Sequence, residues 1–290
     1  MKAILGVDAR RAYRPALELL ARLRFNKLSL TLLHAVNAEC AFEWPDAHTE
    51  AEYMKVVQNL GLQALDGCVD EACGLDIQSR SKLVMGRAAD SLSAEAKAQD
   101  ADLIALCATH SGRWSTNFMG SATSALVQNA RPSLLIAKGH LHRSKGLRVV
   151  LATDHTSYAE KWISKLLTML PRGIDHMEIV TAYSVSDEVA SVVGKNPAMM
   201  GGDVNRWLEE KLQSKNEAVA ARFSALGISV QTKAVEADPR DAIREAMQDF
   251  KADLLIIGSV GADSAPGTPI GSVALHEIAA EAYPVLVMRP

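Results

Sequence analysis

The chain has 290 residues, 48% of them apolar and 22% charged, and a net charge of −3. That length fits one large or two small domains, and the composition excludes a disordered, collagen-like or coiled-coil chain. A near-neutral balance without long runs of one sign argues against a dedicated nucleic-acid surface. No apolar run nears the roughly 18–20 residues that a bilayer span needs. The stretch Ala3–Val7 before Asp8 is too short for a secretory leader, so a cytoplasmic protein is expected. The four cysteines, Cys40, Cys68, Cys73 and Cys107, form neither a Cys-x-x-Cys pair nor a disulfide framework.

In chain order, the opening run Lys2-Ala-Ile-Leu-Gly-Val is strand-like and stops on Asp8. The segment Ile77–Leu83 alternates apolar and polar residues, as a strand at a sheet edge does. Leu103–Leu106 is uniformly apolar, as a strand buried on both faces must be. Gly120-Ser121 and the apolar run Ser133–Lys138 follow. The pattern then starts again. Leu147–Asp154 repeats the opening strand and its aspartate, and Ala252-Asp-Leu-Leu-Ile-Ile257 repeats Ala101-Asp-Leu-Ile-Ala-Leu106 at an offset of 151. The same offset carries Gly120-Ser121 onto Gly271-Ser272 and Ser133–Lys138 onto Pro284–Arg289. Four landmarks in one order identify a duplication.

The two units are read as residues 1–139 and 146–290. The join is polar and flanked by glycine, as a linker should be. His140 and His142 lie in it without a nearby cysteine or acidic partner, and are read as solvated rather than metal-binding. In the second unit, strands are predicted near 147–153, 177–184, 228–235, 253–258 and 284–289, and helices near 157–169, 204–226, 239–250 and 272–282. Val204, Trp207, Leu208, Leu212, Val219, Phe223 and Leu226 fall largely at three- and four-residue spacing, one apolar stripe on a helix. Asp238-Pro239 opens another amphipathic helix. Strand and helix alternating within about 145 residues imply an α/β domain with a parallel, doubly wound sheet. The alternating strand Ile228–Ala234 is placed at its edge.

In such a sheet, ligands bind beyond the carboxyl ends of the strands, where strand order reverses. Asp154 ends the first strand of the second unit. After its fourth strand comes Gly258-Ser-Val-Gly261, nine further residues, and Gly271-Ser272-Val273 opening a helix. Gly258 and Gly261 are expected to let the backbone turn sharply and approach a ligand. Gly271 and Ser272 would offer helix N-terminal amides and a hydroxyl to a phosphate. Asp154 would accept from an adenine amine or a ribose hydroxyl. The spacer Ala262–Ile270 contains Asp263, Pro266 and Pro269 but no lysine or arginine.

The Gly-x2-Gly-x9-Gly-Ser run and its flanks resemble the ATP-binding branch of the universal stress protein family, and the resemblance extends through both repeats. It implies two tandem domains, each with a five-stranded parallel sheet in the order 3-2-1-4-5, packed as an internal pseudo-dimer through their last strands. It further implies ATP or a related adenine nucleotide in the second domain, with Mg2+ held by the phosphates. Asp154 and Ala182 would contact adenine, Gly258 and Gly261 would lie along the nucleotide, and Gly271, Ser272 and Val273 would hold the phosphates.

The first unit departs from this pattern. Asp8, Ala35, Gly120 and Ser121 remain in place, but Cys107 and His110 stand where the first two glycines would be. It is expected to be a degenerate site that does not bind ATP. Cys107 and His110, with Cys40, His34 and Asp8 near the same edge, admit a metal or nucleophile reading, and Arg113 and Trp114 an anion contact. No four-ligand pattern is visible, and a buried apolar cysteine and a loop histidine are favoured. His155 is likewise read as a loop residue.

The nucleotide-binding motif favours a sensor or regulator, at most weakly hydrolytic, with adenine nucleotide and possible protein partners as ligands and neither nucleic acid nor membrane. Two alternatives stay open. One is an ATP-using hydrolase or nucleotidyl transferase, for which no Walker motif, His-Glu-x-x-His or Gly-x-Ser-x-Gly is present. The other is an adaptor with a metal or hydrophobic ligand in the altered first pocket, or with Asp187–Asp203 as an apolar flap. Pairing of the last strands leaves both a monomer and a homodimer open.

Overall fold

The computed structural model describes residues 1–37, 47–108, 120–139, 146–185, 204–262, 264–265 and 267–290. His110, Arg113, Trp114, His140, His142, Cys40, Asp263, Pro266 and the segment 187–203 lie outside them. The first half runs β1 (Lys2–Gly6), α1 (Arg14–Leu23), β2 (Ser29–Val36), α2 (Ala47–Gly74), β3 (Ser79–Met85), α3 (Ala88–Gln99), β4 (Leu103–Cys107), α4 (Ser121–Asn129) and β5 (Ser133–Ala137). The second runs β6 (Leu147–Ala152), α5 (Ser157–Met169), β7 (Ile174–Tyr183), α6 (Val204–Ser224), β8 (Ser229–Glu236), α7 (Pro239–Asp249), β9 (Leu254–Gly258), α8 (Ser272–Ala279) and β10 (Val285–Met288).

All ten strands form one sheet in the order β3-β2-β1-β4-β5-β10-β9-β6-β7-β8. Each half therefore has the order 3-2-1-4-5, parallel throughout, and the halves join where β5 meets β10 antiparallel. The alternating segments, β3 and β8, are the two outer edges. Helix ends follow local chemistry. The Thr156 hydroxyl accepts the Ala159 N–H at 3.1 Å to cap α5. Asp238 accepts the Arg240 N–H at 2.9 Å ahead of α7, whose first turn holds Pro239.

The sheet is covered on both faces. One apolar layer packs α1, α2, α5 and α6 through Leu17, Leu20, Leu65, Trp162 and Phe223. The other packs α3, α4, α7 and α8 through Leu92, Leu126, Ile243 and Ile278. Each layer runs through both halves without a break, so the halves share two continuous cores.

The junction has a pseudo-two-fold axis that can be located by residue. Leu135 pairs with Leu286, flanked by Leu134 with Val287 and Ile136 with Val285. The duplication offset of 151 maps Leu135 onto Leu286, so these two sit on the axis. On the α1/α5 face, Phe25 bridges Pro171, and these positions are equivalent under the offset of 146 that relates Asp8 to Asp154. There α1 and α5 end at Arg24 and Leu170, both left-handed. Gly173 N–H donates to Leu23 O at 3.0 Å, and a Cβ on Gly173 would fall 1.7 Å from Arg22 O. Only glycine fits there.

Candidate functional site

Strand order reverses between β6 and β9 in the second half, which pair from Val149–Leu254 to Ala152–Ile257. Asp154 lies two residues past β6, and Gly258 closes β9. Three of the predicted residues meet at this edge. Asp154 Oδ2 accepts the Ala262 N–H at 2.7 Å, across the crevice, while Oδ1 accepts the Thr156 N–H and hydroxyl at 3.0 and 2.8 Å. A Cβ on Gly261 would lie 3.3 Å from Asp154 Oδ2, and one on Gly271 3.5 Å from Gly261 N. Asp154, Gly261 and Gly271 are thus neighbours although they span 117 positions of sequence. Ala182 is half-buried within β7 and pairs with Val235.

The loop is closed upon itself. Ser264 Oγ accepts the Gly261 N–H at 3.1 Å and would lie 2.9 Å from a Cβ on Gly271. Gly271 N–H donates to Ser259 O at 2.7 Å. Gly271 then leads into α8 without a side-chain cap, leaving Ser272 exposed and the Val273 side chain packed against the core. The amides of this first turn project from the positive end of the helix.

The glycines differ from expectation in one respect. Neither Gly258 nor Gly261 has a positive φ, so neither supplies a left-handed turn. The backbone of Gly258 is covered instead by Trp162, whose Nε1 would be 2.6 Å from an added Cβ. Trp162 is fully buried. The corresponding pair in the first half is Ala16 and Cys107, by the offsets of 146 and 151. There the small residue is on the helix and the larger one ends the strand, and Ala16 N–H donates to Cys107 Sγ at 3.3 Å. Cys107 and Gly258 are each half of a size-matched pair.

The same packing bears on the cysteine's chemistry. Burial pushes the Cys107 thiol up to about 12, with the nearby Asp8 carboxylate adding to the shift. A thiol held neutral is a poor nucleophile and metal ligand. Among the described residues, no group of three His, Cys, Asp or Glu side chains is arranged to hold a metal ion. Asp8 is occupied with its own loop, Oδ1 accepting Ala12 N–H at 2.7 Å and Oδ2 Arg10 N–H at 3.2 Å. Ala35 pairs with Val84 inside β2, and Gly120-Ser121 open α4 as Gly271-Ser272 open α8.

His155 does more than occupy a loop. It adopts φ of 56°, and its Nε2 lies 2.9 Å from Asn216 Oδ1 and 3.1 Å from Thr181 Oγ1. The Thr181 hydroxyl donates to the same Asn216 Oδ1 at 2.8 Å, and Asn216 Nδ2 donates to Lys233 O at 3.1 Å. Burial lowers the imidazole pKa, favouring a neutral ring with its proton on Nε2. This network ties the residue after Asp154 to β7, α6 and β8. A second contact missed in the sequence is Tyr158 Oη to Ser259 Oγ at 2.6 Å, which fastens α5 to the glycine loop.

The sequence profile of the universal stress protein family matches residues 1–138 and 147–289. The chain belongs to the universal stress protein family. Two universal stress proteins of Mycobacterium tuberculosis, from strains H37Rv and CDC 1551, are each 24% identical to it over 296 aligned positions, spanning 99% of this chain and 95% of theirs. Among solved structures, a universal stress protein from Archaeoglobus fulgidus superposes with a TM-score of 0.67 at 17% identity, covering 99% of this chain and 98% of that one. A putative universal stress protein from Pseudomonas aeruginosa gives 0.62 at 16% identity, over 100% and 93%. At these identities the structural matches show a shared fold. Among the described residues, no helix is long and apolar enough to cross a membrane.

Proposed function

We propose that this protein is a cytoplasmic stress-response sensor or regulator that binds an adenine nucleotide, ATP in its fullest form, in the second half. The observation that carries this reading is the convergence of Asp154, Gly261 and Gly271 at the switch point, next to the uncapped start of α8. The adenosine end would lie toward Asp154 and Ala182, and the phosphates on the Ser272 and Val273 amides and the Ser272 hydroxyl. These donors suit a phosphate group, and a Mg2+ ion would be held through the phosphates and would neutralise their charge. Ser264 Oγ takes the Gly261 amide in the closed loop, so binding exchanges that contact for a phosphate oxygen. Binding that opens the loop gives the nucleotide differential affinity for two conformers, which a sensor requires.

Among the described residues the first half shows no comparable convergence: Cys107 lies where the first glycine of the motif was expected, and Asp8 is folded into its own loop. Two solved family structures, matching 47% and 50% of this chain, carry AMP and cAMP. Both nucleotides therefore belong beside ATP in the test. Calorimetric titration of ATP with Mg2+, AMP and cAMP is expected to show one nucleotide bound per chain. Ser272→Asp should abolish it, because a carboxylate at the start of α8 suits the helix but repels phosphate. No heat with any of the three at millimolar concentration would overturn the reading.

A further inference from the structure

Each half ends in a buried cation that reaches into the other half. Lys138, one residue past β5, is 2% exposed, and its Nζ donates to Glu277 O and Glu281 O at 2.8 Å each, at the C-terminal end of α8. Arg289, one residue past β10, is 7% exposed. Its guanidinium donates to Val127 O at 2.5 Å and to Ala130 O, at the C-terminal end of α4. Lys138 and Arg289 are equivalent under the offset of 151, so the two contacts are reciprocal across the pseudo-axis. The last carbonyls of a helix lack intrahelical donors and form the negative end of its dipole, so a buried cation is well placed against them.

The consequences are not symmetric, because only the second half keeps the glycine motif. Its α8 starts at Gly271-Ser272 and is gripped at its far end by Lys138 of the first half. The loop entering α8 is also held: Arg289 Nη2 donates to Pro269 O at 3.4 Å, two residues before Gly271, while the same guanidinium is anchored on α4 of the first half. The amides that would meet phosphate are therefore fixed from both sides by groups tied to the neighbouring unit. Binding sites that recognise an anion by backbone amides depend on such support, since the amides cannot adjust individually.

We infer that Lys138 and Arg289 are positioning residues for the phosphate end of the second site, and that the first half serves as the support which sets its phosphate affinity. This rests on the nucleotide reading above. It separates the two ends of the ligand: Asp154 is held by Thr156 and Ala262, whereas Pro269, which Arg289 holds, leads directly into Gly271 and the phosphate contacts at Ser272 and Val273.

The test compares AMP with adenosine by calorimetry on the full chain, with thermal unfolding measured in parallel. Arg289→Lys keeps the charge but loses the forked donor, and Lys138→Met keeps length but loses the ammonium. Each is expected to weaken AMP roughly three- to tenfold while adenosine affinity stays unchanged. Lys138→Arg, a long cation at the same place, should restore AMP binding. Equal weakening of AMP and adenosine would mean general loosening and overturn the inference, as would unchanged AMP affinity in either folded variant. Should Lys138→Met fail to fold, the milder Arg289→Lys decides the matter alone. Wild type that binds AMP while both variants behave like it overturns this inference only. Wild type that binds no nucleotide overturns the nucleotide reading and this inference together.

Discussion

Glu277 offers the sharpest energetic test of the junction. It lies on α8 with no exposed surface, its Oε2 accepting the Tyr283 hydroxyl and its Oε1 buried without a hydrogen-bond partner among the described residues. Burial is the main influence and raises its pKa to about 7, helped by the Glu281 carboxylate. The Tyr283 hydrogen bond and the charges of Lys138 and Arg240 oppose the shift. The raised value means that the folded state holds this proton more tightly than the unfolded chain does. Stability from this group is therefore full below the ordinary carboxylate pKa, falls as pH rises to about 7, and is flat above. A rise from 4.5 to about 7 corresponds to about 3 kcal/mol. Glu277→Gln keeps the shape and stays neutral, so it should match wild type near pH 4.5 and exceed it by up to about 3 kcal/mol at pH 7.5. Urea unfolding at half-unit steps from pH 4.5 to 7.5 measures the difference and stays below the midpoint of Lys138, which burial pushes down to about 8. A difference independent of pH would refute the buried neutral carboxyl. So would a less stable variant at pH 7.5, since that would make ionised Glu277 a net stabilising partner of Lys138.

Three further outcomes follow from the second site and its first-half counterpart. Gly258→Ala should destabilise by about 1–3 kcal/mol through overpacking against Trp162, and should cost much less when introduced into a Trp162→Leu background; chemical denaturation of the two single variants and the double variant checks this. Thiol labelling of the native protein at pH 8 should give the same number of fast-reacting groups with and without Cys107→Ser, because burial holds that thiol near 12 while Cys73 is exposed. Thr156→Ala removes the cap of α5 and one contact of Asp154, and should cost about 1 kcal/mol in thermal or urea unfolding.

The duplication and the edge strands were legible because they are written locally, in apolar runs, alternation and a fixed offset, whereas the strand order came only through the family resemblance. α5 has the predicted bounds, whereas α6 and α8 stop two and three residues early. At the site, the approach of Asp154 to the glycine loop follows from the strand order alone. What the sequence hid was the reason for individual residues. Gly258 reads as a ligand-facing glycine, yet its missing side chain is filled by Trp162 from a helix nearly a hundred positions away. The clue was available in the two offsets, which pair Ala16 with Trp162 and Cys107 with Gly258, one small and one large residue in each half. Lys138 and Arg289 were visible as the ends of apolar strands, but no local pattern reveals that they cross to the opposite half. Contacts between residues 139–162 positions apart leave no periodicity behind them.

Fusing the two halves also changes what mutation can do. In a pair of identical subunits every substitution appears twice about the axis, so a change that favours one side must be tolerated by its mirror image. Here equivalent positions about the axis are encoded separately, and some have drifted apart: phenylalanine faces proline, and a lysine answers an arginine. A single gene can thus let one unit lose its glycine loop while the other keeps it, without either losing its neighbour on dilution.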